Sequence, residues 1–322
     1  MKSLIVYYSQ TGNTGKIARA VQRGVNAVAG SCDIAKVKDV DPGSLGAYDL
    51  IGLGTPVWNG GEPPNVMKFL NRVPDQGGRL AFSFCTHGVM PELYFPHMVR
   101  RLSALAFTVI GTRDWYGDCI IQTFPSPYFT GGHPDEVDLA EAEAFGREMA
   151  ENSARIAQGE SNLIPPVPEP VLTPQLLALV EFYRSGHNAH GRMTYDPEKC
   201  TYPKCRLCVD NCLMEYIDFS VEPRQYGSEG DSCDMWMGCT HCENICPTGA
   251  ISGDWQGHQE RMRHVFAGLG MGGEKLLAKV IDEAEATGRF RRLVPRDEVL
   301  NAKPFFLVHA KRPRFRMPKE ER

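Results

Sequence analysis

Eight of the chain's 11 cysteines lie between Cys200 and Cys246. Cys205, Cys208 and Cys212 recur 34 residues later as Cys239, Cys242 and Cys246, and Cys200 and Cys233 are offset by 33. A secreted chain of this cysteine density would carry disulfides, whereas an intracellular one uses it for metal. The opening MKSLIVYYSQTG has a short apolar run that enters a glycine-containing turn, not the layout of a leader peptide. The expectation is therefore a cytoplasmic metal protein. Thiolates at two- and three-residue spacing suit an iron–sulfur cluster, because a tight loop can wrap three corners of a cubane. Four-cysteine zinc sites use paired C-x2-C units divided by a spacer. The interlocked C-x2-C-x3-C, present twice and ending in Cys246-Pro247, fits iron–sulfur better.

A second group of residues sits near the N-terminus. An apolar strand, Leu4–Tyr8, runs into Ser9-Gln10-Thr11-Gly12-Asn13-Thr14 and then an amphipathic helix. A helix N-terminus offers unpaired N–H groups and partial positive charge. Gly12 allows close backbone approach, and three hydroxyls can bond phosphate oxygens. No GK[ST] triplet follows, so a nucleoside triphosphate is a poor fit and a single phosphate monoester a good one. The competing reading is a plain helix N-cap. Two further loops belong with this one: Gly54-Thr55-Pro56-Val57-Trp58-Asn59-Gly60-Gly61, whose indole could stack on a flat ring or serve the core, and Cys85-Thr86-His87-Gly88.

The elements that must position these residues are legible in residues 1–160. Apolar runs at Leu4–Tyr8, Ile34–Val37, Leu50–Leu53, Leu80–Phe84 and Phe107–Ile110 alternate with helical segments Thr14–Val28, Pro64–Arg72, Glu92–Leu105 and Pro134–Ala157. Short apolar strands separated by helices predict an α/β fold, a doubly wound five-stranded parallel sheet. Ligands bind at the carboxyl ends of such strands, where the three loops converge. An irregular stretch, Trp115–Pro134, with Tyr116, Tyr128 and His133, follows the fifth strand and reads equally as a lid or a surface loop.

Residues 1–160 resemble a flavodoxin. SQTGNT resembles the phosphate-binding loop of the FMN site, and the Trp58 and His87 loops resemble the two that enclose the isoalloxazine ring. The resemblance implies FMN, held at its phosphate by Ser9, Gln10, Thr11, Gly12, Asn13 and Thr14. Around the ring it implies Thr55, Pro56, Val57, Trp58, Asn59 and Gly60, with Cys85, Thr86, His87 and Gly88 on the other loop; His87 is the candidate catalytic proton donor. The cysteine region resembles the dicluster ferredoxins, whose pattern is C-x2-C-x2-C-x3-C-P with the fourth cysteine serving the other cluster. That resemblance implies a small α+β domain with two [4Fe–4S] clusters. One takes Cys200, Cys205, Cys208 and Cys246; the other takes Cys233, Cys239, Cys242 and Cys212. The first spacing is longer than the pattern in both units, and Leu213 replaces the proline after Cys212. His241 is a neighbour that would tune hydrogen bonding.

The whole resembles flavodoxin–ferredoxin fusions: a flavodoxin-like domain at 1–160, a proline-rich linker and helix at 161–190, a ferredoxin-like domain at 191–254, and a mostly helical extension at 255–322. The linker's helix spans Pro174–Ser185, and the extension's helices span Gln256–Ala267 and Glu274–Ala286. Net charge is −3, −7 and +6 over residues 1–160, 161–254 and 255–322. The basic tail KRPRFRMPKEER reads as a docking element. No basic stripe interleaves with aromatics, which argues against nucleic acid, and no apolar run approaches a membrane span. Gly268-x-Gly270-x-x-Gly273 lacks the strand and acidic residue of a dinucleotide site, so electrons are expected from another protein. The expected function is an FMN and iron–sulfur oxidoreductase serving a redox partner protein or a small-molecule acceptor. The alternative is an electron carrier with no substrate of its own. A homo-oligomer is compatible with both.

Overall fold

The computed structural model describes residues 1–58, 60–89, 91, 93–119, 126–170, 177, 193–213, 215–221, 224–226, 241–253 and 273–302. Asn59, Cys233, Cys239, Gly268, Gly270, the helix expected over Gln256–Ala267 and the basic tail lie outside them. So does the helix expected over Pro174–Ser185, except for Leu177. Among the described residues no helix is long and apolar enough to cross a membrane.

The described residues fall into two compact units, the first within Met1–Asp118 and Gly132–Val171. Its strands are β1 (Ser3–Tyr7), β2 (Cys32–Lys36), β3 (Leu50–Pro56), β4 (Leu80–His87) and β5 (Thr108–Tyr116). All are parallel, in the order β2-β1-β3-β4-β5. This is the flavodoxin-like doubly wound order. The helices are α1 (Asn13–Ala29), α2 (Pro64–Leu70), α3 (Tyr94–Ala104) and α4 (Glu136–Ala157). Alternate residues of β1 feed opposite layers. Leu4 and Val6 pack with Leu70 of α2 and Met98 of α3. Ile5 and Tyr7 pack with Ile17 of α1, Phe145 of α4, and Phe82 and Phe84. Each such buried side chain contributes about 1.5–3 kcal/mol, so this sheet holds itself by apolar burial on both faces. The helices α1 and α4 approach so closely that a Cβ on Gly146 would lie 2.1 Å from the Val21 carbonyl oxygen.

Two strands run further than their apolar stretches. β4 continues through Thr86 and His87, and β5 through Arg113, Asp114, Trp115 and Tyr116. The ladder therefore aligns Cys85 with Asp114, Thr86 with Trp115 and His87 with Tyr116. Trp115 and Tyr116 are thus strand residues, not part of the irregular stretch expected after the fifth strand.

The second unit lies within Cys119–Gly131 and Leu172–Glu320. It contains β6 (Met193–Tyr195), α5 (Leu207–Asp210), β7 (Ile217–Asp218), β8 (Gln225–Tyr226), α6 (His241–Ile245), β9 (Ile251–Gly253), α7 (Gly273–Ala286) and α8 (Arg296–Asn301). β6 pairs antiparallel with β9, and β7 with β8. The cysteine repeat is a structural repeat: Cys208 lies in α5 and Cys242 in α6, and β7 begins at residue 217 and β9 at 251. Each offset is the 34 residues that separate the cysteines. Residues 126–131 belong to this unit and not to the 1–160 block. Tyr128, Phe129 and Thr130 are buried, and Phe129 meets Phe290 edge-on at 5.3 Å. Their apolar contacts replace the solvated-loop alternative. Gly273 opens α7.

Candidate functional site

The N-terminal loop leaves α1 without a side-chain cap. Gly12 occupies the N-cap in the left-handed region, φ 94°, where a side chain would be strained, and it makes no side-chain cap hydrogen bond. The first backbone bond is Lys16 N–H to Gly12 O. The preceding N–H groups of the turn are therefore available to an anion. Ser9 is buried, and its Oγ accepts the Gly12 N–H at 3.1 Å, which shapes the turn. The Thr14 and Thr86 hydroxyls bond each other at 2.8 Å and tie this loop to β4. Asn13 Nδ2 donates to Asp118 O at 2.9 Å, tying it to the end of β5. Gln10 and Thr11 are half-buried.

The second loop is a tight reversal. Trp58 and Gly61 exchange two backbone hydrogen bonds of 2.9 Å across Asn59-Gly60, and Val57 N–H donates to Thr86 O. Trp58 is half-buried and meets the Tyr8 ring edge-on at 6.4 Å, so the indole is not a core residue. Pro56, Val57, Gly60 and Gly88 are half-buried at the same sheet edge. Thr55 and Cys85 face inward instead. The Thr55 hydroxyl donates to Tyr94 Oη at 2.9 Å, and Cys85 is wholly buried in the apolar layer. Immediately after the reversal, the buried Glu62 carboxylate meets His97 Nε2 at 3.0 Å and Arg101 Nε at 3.3 Å, anchoring the loop to α3. Burial opposes ionisation of Glu62. The bonds from His97 and from its own N–H, with the charges of His97 and Arg101, outweigh burial and hold the carboxyl below its ordinary value.

His87 is almost wholly buried. Its Nε2 lies 3.0 Å from Asp114 Oδ2 and its ring 4.6 Å from that of Tyr116. The Nδ1 atom has no hydrogen-bond partner among the described residues. Asp114 orients the imidazole from the next strand. Uncapped donors, clustered hydroxyls and a half-buried indole at one sheet edge fit a phosphate-bearing flat ring such as FMN.

In the second unit, Cys200, Cys205, Cys208 and Cys246 line one cavity together with Tyr195, Phe219, Thr248 and Ile251. Burial and the proximity of Cys246, Cys200 and Cys205 push the Cys208 thiol up to about 12. Four converging thiols repel one another as thiolates, and a bound cation reverses that cost by deprotonating them. Burial acts against the Cys246 thiolate. The Thr248 hydroxyl and the N–H groups of Ile251, Thr248 and Ala250 outweigh it and lower its pKa. Cys200 Sγ accepts the Tyr202 N–H at 3.5 Å, and Cys212 Sγ accepts the Tyr216 N–H at 3.3 Å. This sulfur-rich donor set fits iron–sulfur. The described cysteines are free of disulfides. Cys212 and Cys242 are half-buried outside that cavity lining. His241 is buried, which lowers its pKa to about 4 and keeps the ring neutral.

Residues 5–114 match the family model for flavodoxin. The chain carries a flavodoxin domain. An uncharacterized protein of Methanocaldococcus jannaschii is 28% identical over 158 residues, 47% of this chain and all of that protein. A ferredoxin of Methanothermococcus thermolithotrophicus is 35% identical over 60 residues, 19% of this chain and 93% of the ferredoxin. Over that stretch the chain belongs with the ferredoxins. The structure of a flavodoxin from the domain Archaea aligns at 19% identity with a TM-score of 0.39, covering 48% of this chain and 99% of that one.

Sequence reasoning missed two residues at the flavodoxin domain's crevice and two in the cysteine-rich region. Asp114 was out of reach because the fifth strand's apolar run ends at Ile110 while the strand does not. Glu62 directly follows the Trp58 loop, and an acid between Gly61 and Pro63-Pro64 is a signal that could have found it. Tyr195 and Arg224, described below, carry no spacing signal.

Proposed function

We propose that this protein is an iron–sulfur flavoprotein oxidoreductase. It moves low-potential electrons between two [4Fe–4S] clusters and FMN, and from there to a partner protein or small acceptor. The observation that carries the reading is the convergence of Cys200, Cys205 and Cys208 with the distant Cys246 on one cavity, in a chain that also carries a flavodoxin domain. When bound, FMN supplies one- or two-electron chemistry and the clusters one-electron transfer. The chain's own residues bind and orient. The α1 N–H groups and the Thr11 and Thr14 hydroxyls hold the phosphate. The Trp58 reversal, fixed by Glu62, covers the ring. His87 donates from Nε2 to the Asp114 carboxylate, which orients the ring and leaves Nδ1 without a hydrogen-bond partner among the described residues. Cys200, Cys205, Cys208 and Cys246 hold one cluster; Cys212 and Cys242, with Cys233 and Cys239, hold the other.

Anaerobic purification followed by iron, sulfide and flavin quantitation tests this reading. About eight iron atoms and one FMN per chain are expected, with flavin and cluster absorbance bleaching separately on reductive titration. Tetrahedral zinc without labile sulfide, or protein without flavin, overturns it.

A further inference from the structure

We propose that Arg224, acting through Tyr195, raises the reduction potential of the cluster held by Cys200, Cys205, Cys208 and Cys246, and so splits the two clusters in potential. The inference rests on the cluster reading above. Tyr195 ends β6, pairs with Ile251 of β9, and lines the same cavity as the four cysteines. Arg224 Nη1 donates to Tyr195 Oη at 2.9 Å. A guanidinium has no acceptor, so the tyrosine oxygen accepts from arginine and its single O–H is left to donate. Cys200 is the recipient of that bond. Arg224 is itself fixed over aromatic faces, 5.4 Å from the Tyr202 ring centroid and 5.8 Å from that of Phe219. Phe219 stacks on Tyr195 with centroids 4.8 Å apart. The row guanidinium, phenol, thiolate is thus held rigidly, and each bond polarises the next.

The electron added on reduction increases negative charge on the cluster and its thiolates. A donor to sulfur and a nearby cation stabilise the reduced state more than the oxidised one, which raises the potential. The sequence puts no arginine at the corresponding place in the second half of the repeat. The 34-residue repeat carries Ile217 onto Ile251, and their strand partners are Tyr226 and Tyr195. Two residues before Tyr226 stands Arg224; two residues before Tyr195 stands Met193. The sequence therefore has an arginine in one half of a near-symmetric unit where it has a methionine in the other. The Cys200 cluster becomes the better electron acceptor of the two, giving the pair a direction.

The test is an anaerobic redox titration of the full chain followed by electron paramagnetic resonance. Wild-type protein should show two reduction steps. Arg224→Met, which copies the counterpart residue, should lower the upper step by about tenfold in equilibrium constant, about 59 mV for a one-electron couple, and bring the two together. Arg224→Lys should retain most of the split, because charge and donor remain. Tyr195→Phe should lower the same step, and the double variant should shift less than the sum. Equal potentials in wild type, or two steps unmoved by Arg224→Met and Tyr195→Phe, overturn the inference alone. Wild-type protein with no reducible cluster overturns the inference together with the cluster reading. Tyr195→Phe and Arg224→Lys keep the test decisive where Arg224→Met fails to fold.

Discussion

The flavodoxin domain and the cysteine-rich region position their ligands by different means. In the flavodoxin domain two apolar layers sandwich a parallel sheet, and the loops of the crevice are fixed by backbone bonds and buried polar pairs. In the cysteine-rich region the described core cluster is Cys246, Ala250 and Ile251, with Tyr195, Cys200, Cys208 and Cys242 packed against it. Four of those seven residues are cysteines, so candidate ligands and packing share the same side chains there. On the proposed reading, one site is built before its ligand arrives, whereas the other is completed by it. Small domains with too little apolar mass need such a staple.

Removing the metal is the strongest way to break this comparison. Stripping iron with a chelator should raise hydrogen exchange across residues 193–253 to near the unfolded rate and leave the flavodoxin domain's melting unchanged. Structural metal in small zinc domains is worth about 10–16 kcal/mol, and the thiol-rich core offers little to offset a loss of that order. Unchanged exchange would show that the region is self-supporting. Next in size is Phe82→Ala. Phe82 is wholly buried against Phe84 and Phe145, so its loss should cost about 3–5 kcal/mol. The flavodoxin domain should melt earlier while the cluster spectrum stays as it was. Coupled melting of both would sink the idea of separate supports. A smaller effect is expected from Thr11→Ala with Thr14→Ala. Each hydroxyl bond lost to a charged group is worth about 1.5–3 kcal/mol, so FMN affinity should fall tenfold or more per bond. Thr14→Ser should keep it. Equal flavin affinity in all forms would contradict the phosphate-loop assignment.

The same comparison explains what was legible in sequence. Central parallel strands are buried on both faces, so Leu4–Tyr8 or Leu50–Leu53 read as continuous apolar runs, and all five strands were found in place. Their polar ends were not. Thr86, His87, Arg113 and Asp114 break the apolar run while remaining in the ladder. Those are the ends that face the crevice, where chemistry replaces packing. Cysteine spacing carried the repeat, because metal geometry constrains spacing directly. Tyr195 and Arg224 are joined by a hydrogen bond across 29 residues, and long-range side-chain pairing leaves no local period. Residues 126–131 misled for a related reason: Tyr128 and Phe129 are sequence neighbours of the flavodoxin domain, but bury their rings in the other unit.

The finest test concerns Glu62, whose charge fixes the Trp58 loop by electrostatics and not by apolar packing. Glu62→Gln keeps shape and hydrogen-bonding capacity but loses the charge facing His97 and Arg101, and should cost about 1 kcal/mol near neutral pH. The sign of the pH dependence follows from the lowered carboxyl. A group ionised more easily when folded adds stability above its unfolded value, here 4.5, and that stability is lost as pH falls through the folded value. Arg101 stays charged throughout, so the carboxyl's own protonation ends the interaction. Wild type should therefore exceed Glu62→Gln in flavodoxin-domain stability at pH 7, and the gap should close as the pH drops below 4.5. Thermal melts across that range measure it. No gap at any pH would mean that Glu62 holds the loop by shape and hydrogen bonding and not by its charge, and the crevice would then owe nothing to this buried ion pair.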